Sequence, residues 1–225
     1  MKTEEMEKPL LEQQPESWYG MQAGTVLADR YRVERLLSKG GMGAVFEATQ
    51  LGLDRAVAVK MLLPSLGQDQ KIQERFRREA RSVAALRHPN IIQIYDYGIS
   101  DHGPYIVMEF ARGQNLRQML RRGAMEIDQA IELMEQICSA IASAHIEGII
   151  HRDLKPDNII IETHNDRGQH AKVLDFGIAK MREVQAEEAD TGLSNLTGAN
   201  VIGSPAYMSP EQSLGLELDA RSDVY

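Results

Sequence analysis

The sequence predicts an α+β fold of two lobes, an antiparallel sheet with one helix followed by a mainly helical lobe. From Arg30 onward, short runs rich in β-branched residues alternate with glycines, which is typical of an antiparallel meander. Beyond ARGQN, residues 111–115, apolar residues recur at helical spacing instead. We therefore predict a flexible acidic tail over residues 1–29, an N-terminal lobe over 30–111 and a C-terminal lobe over 112–225.

Composition limits the classes of function. The 225 residues are 43% hydrophobic and 26% charged, which is typical of a globular domain. The net charge of −8 argues against a dedicated nucleic-acid-binding surface. The single cysteine, Cys138, cannot form an internal disulfide, and we expect it in the core. No signal segment or membrane-spanning run is visible, so we predict a cytoplasmic location, with any membrane anchor outside this sequence.

The N-terminal lobe is predicted from five strand-like runs and one helix. The helix is IQERFRREARSVAALRH, which places Phe76, Ala80, Val83 and Ala84 at helical spacing and stops before Pro89. Residues 1–29 precede these elements and are rich in Glu, Gln, Lys and Pro, which favours disorder. The strand-like runs are YRVERLLS, GAVFEATQ, RAVAVKML, IIQIYDYG and PYIVMEF.

The C-terminal lobe is predicted to be helical over LRQMLRRG and AIELMEQICSAIASAHIEG. A later stretch, MREVQAEEADTGLSNLTGAN at residues 181–200, is too polar and too long for a simple connection. We interpret it as a functional or mobile loop. The longer helix is predicted to present one apolar face, formed by Ile131, Met134, Ile137, Cys138 and Ile141.

A glycine-rich stretch, LSKGGMGAVFEA at Leu37–Ala48, has two interpretations. Glycine allows a ligand to approach the backbone closely, so the stretch suits a phosphate cradle. It also suits a tight turn between two strands. The stretch alone leaves both interpretations open.

The densest chemical motif lies between the two lobes. HRDLKPDN, His151–Asn158, is followed by VLDFG, Val173–Gly177, and later by SPE. With VAVK upstream, this ordered set resembles the eukaryotic-type protein kinases, within them the serine/threonine kinases, and GGMGAV and YMSPEQ resemble their bacterial branch. The resemblance runs from about Arg30 to Tyr225 and implies a bilobal protein kinase fold that binds ATP and Mg²⁺.

The resemblance also implies roles for charged residues. Asp153 has the carboxylate that can accept the proton of an attacking hydroxyl, and Lys155 can hold the moving phosphoryl group by charge. Asn158 and Asp175 offer oxygen ligands to magnesium. Lys60 grips the earlier phosphates and pairs with Glu79, which lies on the apolar side of its helix. His151 is structural and stacks in an apolar column with Phe176, Val83 and Ile94.

The same matching implies a nucleotide pocket. The family pattern G-x-G-x-x-G aligns with Ser38, Gly40 and Gly43, so the cradle interpretation is favoured, although the first glycine is replaced by serine and Gly41 is additional. Val45, Ala58 and Ile160 are expected to sandwich the adenine, with Met108 behind it. The hinge comprises Glu109 to Ala111. The predicted nucleotide-binding residues are Leu37, Ser38, Gly40, Gly41, Gly43, Val45, Ala58, Lys60, Glu79, Met108, Glu109, Ala111 and Ile160.

Two features favour protein serine and threonine hydroxyls as the acceptors. Lys155 lies where tyrosine-specific members differ, and Ser204 resembles the residue that bonds the catalytic Asp and Lys in serine/threonine kinases. Arg152 is a ready partner for a phosphate on the 181–200 loop. The candidate autophosphorylation sites are Thr197 first, then Thr191 and Ser194.

Other functions remain open. A nucleotide-binding pseudokinase is disfavoured by the intact Lys60, Asp153 and Asp175, and a small-molecule phosphotransferase by Lys155, the long loop and SPE. Set against the family pattern, LDARSDVY falls within the C-terminal lobe, so we expect that lobe to be incomplete here. Asp223 is expected to brace the backbone of the catalytic loop, residues 151–158.

Overall fold

The N-terminal lobe is built on a six-stranded antiparallel sheet. A computed structural model describes residues 20–41, 43–164, 168–176 and 205–225. The strand order is β1-β2-β3-β4-β6-β5, so the last strand of this sheet inserts between the fourth and the fifth. The strands are β1 (Val26–Leu27), β2 (Tyr31–Gly40), β3 (Gly43–Gln50), β4 (Arg55–Leu62), β5 (Ile94–Ser100) and β6 (Gly103–Glu109).

One face of the sheet is covered by the segment that precedes β2. Met21 and Leu27 are each 1% exposed and join Tyr31 and Val33 in one apolar cluster with β3 and β4. The predicted flexible tail therefore does not extend to residue 29, because burial of these apolar side chains stabilises residues 20–29 against the sheet. Residues 1–19 lie outside the described ranges.

The other face of the sheet carries two helices, α1 (Pro64–Gly67) and α2 (Gln70–Ala85). Asp69 caps α2 by accepting hydrogen bonds from Lys71 N at 2.7 Å and Ile72 N at 3.3 Å. The apolar stripe of α2 is buried at Phe76, Ala80 and Val83, as its periodicity predicts.

The C-terminal lobe combines a small sheet with helices. Its strand order is β7-β8-β9, and α4 packs against β9. A parallel bridge from Ile91 to Val173 connects this sheet to the chain that leads into β5. The elements are β7 (Gly113–Asn115), α3 (Leu116–Leu120), α4 (Ile127–Ile146), β8 (Ile159–His164), β9 (Gly168–Val173) and α5 (Pro210–Ser213).

The buried face of α4 differs from the predicted one. Ile137 and Ile141 are buried as expected, but Ile131 and Met134 are each 52% exposed and Cys138 is exposed. The helix is apolar around much of its circumference, so periodicity could not tell which face meets β8 and β9. Leu133, Ala140 and Ala144 complete the face that packs there. Within the described residues, no helix has the length and apolar character that crossing a membrane requires.

Candidate active site

The glycine-rich stretch forms the hairpin between β2 and β3. Gly40 pairs with Gly43, and Ser38 pairs with Val45. A Cβ atom at Gly43 would lie 1.8 Å from the carbonyl oxygen of Met61 on β4, so only glycine fits there. A Cβ atom at Gly40 or Gly41 would meet nothing within 4 Å. Gly43 therefore allows β3 to pack closely against β4, whereas Gly40 and Gly41 leave the tip of the hairpin open.

Below this hairpin, an apolar cluster brings together residues from both lobes. Ala58, Met108 and Ala111 are buried in it, and Val45 and Ile160 pack against it. The structure thus places the residues predicted to contact adenine beside one another. Leu37, at the end of the same hairpin strand, is 36% exposed.

Glu109, which is predicted to lie in the hinge, makes contacts within the protein. Its side chain binds Lys172 Nζ at 2.7 Å, and its N–H donates to the carbonyl of Gln93 at 2.9 Å. The amide of Glu109 is therefore already used and cannot also serve a nucleotide base. The prediction of hinge contacts is thereby limited to the other backbone groups of residues 109–111.

Lys60 and Asp175 form an ion pair across the cleft. Lys60 Nζ lies 2.8 Å from Asp175 Oδ1, and the side chains are 12% and 31% exposed. Burial alone would raise the pKa of Asp175, but the charge and hydrogen bond of Lys60, aided by the charge of Lys155, outweigh burial and lower it. Asp175 therefore remains ionised.

Glu79, the predicted partner of Lys60, lies at the same cavity. It lines that cavity from α2 together with Lys60, Met108 and Phe176, and the Lys60–Glu79 pair stays a prediction beside the observed contact of Lys60 with Asp175. Asp175 has a left-handed backbone, with φ of 57°, which sequence periodicity does not reveal. That conformation turns its carboxylate toward β4.

The catalytic loop concentrates polar contacts on Asp153. Lys155 Nζ donates to both carboxylate oxygens, at 2.9 and 2.7 Å. Asn158 Nδ2 donates to the carbonyl of Asp153 at 2.8 Å and to its Oδ2 at 3.1 Å. The structure therefore brings the three predicted catalytic residues together, with Asp153 only 17% exposed.

His151 supports this loop from below. Its Nε2 donates to the carbonyl of Leu174 at 2.7 Å, and its Nδ1 accepts from the N–H of Asp153 at 3.2 Å. This pattern requires a neutral ring, and burial lowers the pKa of His151 accordingly, despite the nearby Asp223. The ring lies 4.7 Å from Phe176, and Val83 and Ile94 belong to or pack on the same apolar cluster.

Asp223 braces the catalytic loop, as expected. Its Oδ2 accepts from His151 N at 2.7 Å and its Oδ1 from Arg152 N at 2.8 Å, with its side chain 1% exposed. His145 Nε2 lies 2.7 Å from Asp223 Oδ2. Gln212 of α5 also donates to the carbonyl of Arg152 at 2.6 Å.

Sequence reasoning missed His145, Gln212 and the contacts of Arg117 with Asp157 and Tyr207. Each pair is distant in the chain, and a lone His, Gln or Arg carries no motif that marks it. Several predictions, in contrast, lie outside the described residues. These are Ser204, the candidate phosphosites Thr191, Ser194 and Thr197, and the 181–200 loop.

Comparison with known proteins agrees with this geometry. The chain is 43% identical over 204 residues to the serine/threonine-protein kinase pkn3 of Myxococcus xanthus, covering 90% of this chain and 37% of that protein. It is 45% identical over 204 residues to PknB of Mycobacterium tuberculosis, covering 88% of this chain and 31% of PknB. The chain thus spans about a third of the length of these curated relatives.

Solved structures give the same result. The kinase domain of Mycobacterium tuberculosis PknI superposes with a TM-score of 0.68 at 26% identity, covering 90% of this chain and 72% of that domain. The family model of the protein kinase domain matches residues 31–225. Together with the site around Asp153, these comparisons show that the chain belongs to the protein kinase domain family.

Proposed function

We propose that this chain is the catalytic part of a serine/threonine-protein kinase. The observation that carries the proposal is the Asp153 carboxylate, which Lys155 holds at 2.7 Å and Asn158 at 3.1 Å. An acceptor hydroxyl attacks the γ-phosphorus of ATP, its proton passes to Asp153, and the bond to the bridging β–γ oxygen breaks to release ADP. Lys155 neutralises charge on the transferred group.

The protein kinase family uses ATP and a divalent metal ion in general, and the donor set here suits magnesium. Asp175 has one carboxylate oxygen on Lys60, which leaves the other available. Asn158 uses its amide nitrogen as a donor, so its amide oxygen remains an acceptor. Within the described residues, no group of three His, Cys, Asp or Glu could hold a metal ion. One carboxylate with phosphate oxygens and waters is the ligand set that magnesium commonly uses, so Asp175 and Asn158 would suffice as its protein ligands.

Apolar packing supports the proposed nucleotide site. Ala58 and Met108 are 7% and 9% exposed, and they form a floor suited to a flat base. The open tip at Gly40 and Gly41 leaves backbone amides near the surface. Lys60 is the cation proposed to hold the earlier phosphates, while Asp175 keeps it in place.

The relatives support serine and threonine as acceptors, since pkn3 and PknB are both named serine/threonine-protein kinases. Lys155 beside Asp153 agrees with this class. Because ATP is the phosphoryl donor, we propose that these residues act in the cytoplasm.

We also propose that Arg152 binds a phosphate on the 181–200 loop. Its backbone is left-handed, with φ of 68°, and its side-chain Nε is buried without a hydrogen-bond partner in the described structure. A phosphate oxygen would satisfy this donor. Replacing Thr191, Ser194 and Thr197 together by Ala should lower the activity, whereas unchanged activity would contradict the proposal.

The direct test is incubation of the full-length protein with ATP and Mg²⁺, with phosphosites mapped by mass spectrometry. We expect phosphoserine and phosphothreonine on the kinase itself and on added proteins, and no phosphate transfer by Asp153→Asn. Nucleotide binding without any transfer would point instead to a pseudokinase. Transfer only to a small molecule would point to a phosphotransferase of related fold.

A further inference from the structure

Arg117 joins three elements at the entrance to the catalytic loop. Its Nε donates to Asp157 Oδ2 at 2.7 Å, and its Nη2 donates to the hydroxyl of Tyr207 at 2.7 Å. The guanidinium carbon also lies 5.4 Å from the centre of the Tyr207 ring. Arg117 on α3 therefore links the catalytic loop to the turn that follows residues 177–204.

This contact changes the charge that an acceptor would meet beside Asp153. Asp157 lies four residues after Asp153 and is 39% exposed, so its carboxylate reaches the surface on the same loop that holds the proposed base. Arg117 occupies its Oδ2, and the pair carries no net charge. In the described part of the chain, the Asp157 carboxylate that a basic acceptor residue would meet here is thus already paired.

The surface around Arg117 is basic in an otherwise acidic protein. Residues 112–125 contain four arginines and no Asp or Glu, although the chain has a net charge of −8. Arg112, Arg121 and Arg122 are exposed. Besides Asp157, the carboxylate that contacts this segment is Glu162, which accepts the backbone N–H of Arg112 at 2.7 Å. We call Arg112, Arg117, Arg121 and Arg122 the α3 basic surface.

A helix-dipole role accounts for only part of this surface. Arg121 and Arg122 follow the end of α3, where cations interact favourably with helix carbonyls. That explanation does not apply to Arg112, which precedes the helix, or to Arg117, whose side chain is turned to Asp157. An acidic partner accounts for the exposed Arg112, Arg121 and Arg122, while Arg117 is paired with Asp157.

The dimensions suit an extended peptide. Arg121 lies one helical turn beyond Arg117, which is about 6 Å along the axis. An extended chain advances by roughly 3.3 Å per residue. Two residues of an extended segment therefore span the distance from Arg117, which contacts the catalytic loop at Asp157, to Arg121.

We propose that the α3 basic surface selects acceptor segments that carry Asp or Glu within a few residues of the phosphorylated Ser or Thr. This inference rests on the proposed protein kinase function and names its substrate class. Opposite charges across such a surface raise the association rate and exclude like-charged partners. Arg117 acts as a positioning residue that also masks Asp157 from basic acceptors.

The test uses the full-length protein and matched Ser/Thr peptides flanked on either side by Glu, Gln or Lys. We expect kcat/KM to be roughly 3- to 10-fold higher for the best Glu peptide than for its Lys counterpart, with the difference shrinking in high salt. The double variant R121Q/R122Q should lose most of this preference while the KM for ATP stays unchanged. The matched control, R77Q/R81Q, removes two exposed arginines from α2 and should keep the preference.

A second variant tests the role of Arg117. Arg117→Gln should raise the use of Lys peptides, because Asp157 becomes available, and R117Q/D157N should reverse that gain. A purely structural role would lower the turnover of all peptides equally and would contradict this assignment.

The outcomes separate the two proposals. Absence of transfer to every peptide and protein would reject the proposed function. Transfer with equal or better use of Lys peptides would reject the inference alone. Fluorescence anisotropy with the labelled peptides decides the inference even without turnover, since tighter binding of the Glu peptides supports it and equal or tighter binding of the Lys peptides overturns it.

Discussion

At the residue scale, each functional group of the candidate site is held by a small number of contacts. Asp153 is held at its carboxylate by Lys155 and Asn158, and at its backbone by His151. These contacts orient the carboxylate without connecting it to Lys60, which binds Asp175 instead. The proposed proton acceptor and the proposed nucleotide-binding lysine are therefore separate groups, and substitutions should separate their effects.

We predict that Asp153→Asn lowers kcat by a factor of about 10²–10⁴ while the affinity for ATP stays within a few-fold, because the lost group acts on the acceptor hydroxyl. Rapid-quench turnover and nucleotide titration measure the two effects. Asp175→Ala is the matched comparison and should also weaken metal-dependent nucleotide binding. Retention of most turnover by Asp153→Asn would show that another group is the base.

His151 gives a prediction about pH. Its pKa in the folded protein is lowered by burial from an ordinary value of 6.5. As the pH falls below about 6.5, the unfolded chain binds a proton that the folded chain resists, so the free energy of unfolding decreases. Above about pH 6.5, the contribution of His151 to the free energy of unfolding does not change with pH.

Thermal unfolding measured between pH 7.5 and 5.5 tests whether stability falls as the pH falls. His151→Gln keeps a donor and an acceptor but does not titrate, so the Tm of that variant should depend less steeply on pH than the Tm of the wild type. His164→Gln changes a side chain that is 47% exposed and should leave the slope as it is. Parallel slopes for wild type and His151→Gln would contradict the prediction.

At the element scale, the β2–β3 hairpin shows what the sequence could and could not predict. The glycine pattern located the hairpin and its neighbours Val45 and Lys60, because strand runs and glycines are local signals. It could not tell that Gly43 meets Met61 while Gly40 faces open space, because that difference comes from β4. The prediction of the buried face of α4 was wrong for a similar reason. The elements that pack against a helix decide which of its apolar residues are covered.

We predict that Gly43→Ala lowers the stability of the protein by about 1–3 kcal/mol and weakens ATP binding, because β3 and β4 must move apart. Gly40→Ala, at the paired position, adds a methyl group to open space and should change stability by less than about 0.5 kcal/mol. Chemical denaturation and the KM for ATP measure both effects. Equal stability of the two variants would contradict the close approach at Gly43.

A second contact at the element scale joins the start of β2 to the edge strand β5. Asp96 on β5 accepts from Arg30 Nη1 at 2.7 Å and from the Tyr31 hydroxyl at 2.8 Å, which joins the chain around β2 to a strand at the far edge. Burial, together with this hydrogen bond, raises the pKa of Tyr31 to about 12. Tyr31 therefore remains a donor at all physiological pH values.

Tyr31→Phe should lower the free energy of unfolding by about 1 kcal/mol, because the hydroxyl bond is lost while the ring still packs. Tyr95→Phe removes a hydroxyl from a side chain that is 41% exposed and serves as the control. Denaturant titration of both variants measures the difference. A Tyr31→Phe variant as stable as the control would show that the contact with Asp96 contributes nothing.

At the scale of the whole molecule, distant segments meet at the catalytic loop. Asp223 and Gln212 bind its backbone from 60 to 72 residues away in the chain, and Val173 pairs with Ile91 across the lobes. The family motifs made the loop predictable, and with it the role of Asp223. His145, which contacts the same carboxylate, could not be predicted, because nothing in its neighbourhood identifies its partner.

This arrangement makes Asp223 a test of long-range support. Asp223→Ala removes the acceptor for the N–H groups of His151 and Arg152, both beside Asp153. Unsatisfied buried donors cost about 1–3 kcal/mol each, and a small displacement of the base is enough to slow transfer. We expect kcat to fall by at least about tenfold with little change in the KM for ATP, because no predicted nucleotide-binding residue contacts Asp223 in the described structure.

Asp219→Ala, which removes an exposed partner of Arg221, is the control and should remain active. Turnover of Asp223→Ala within twofold of that control would mean that the loop holds its shape without this carboxylate.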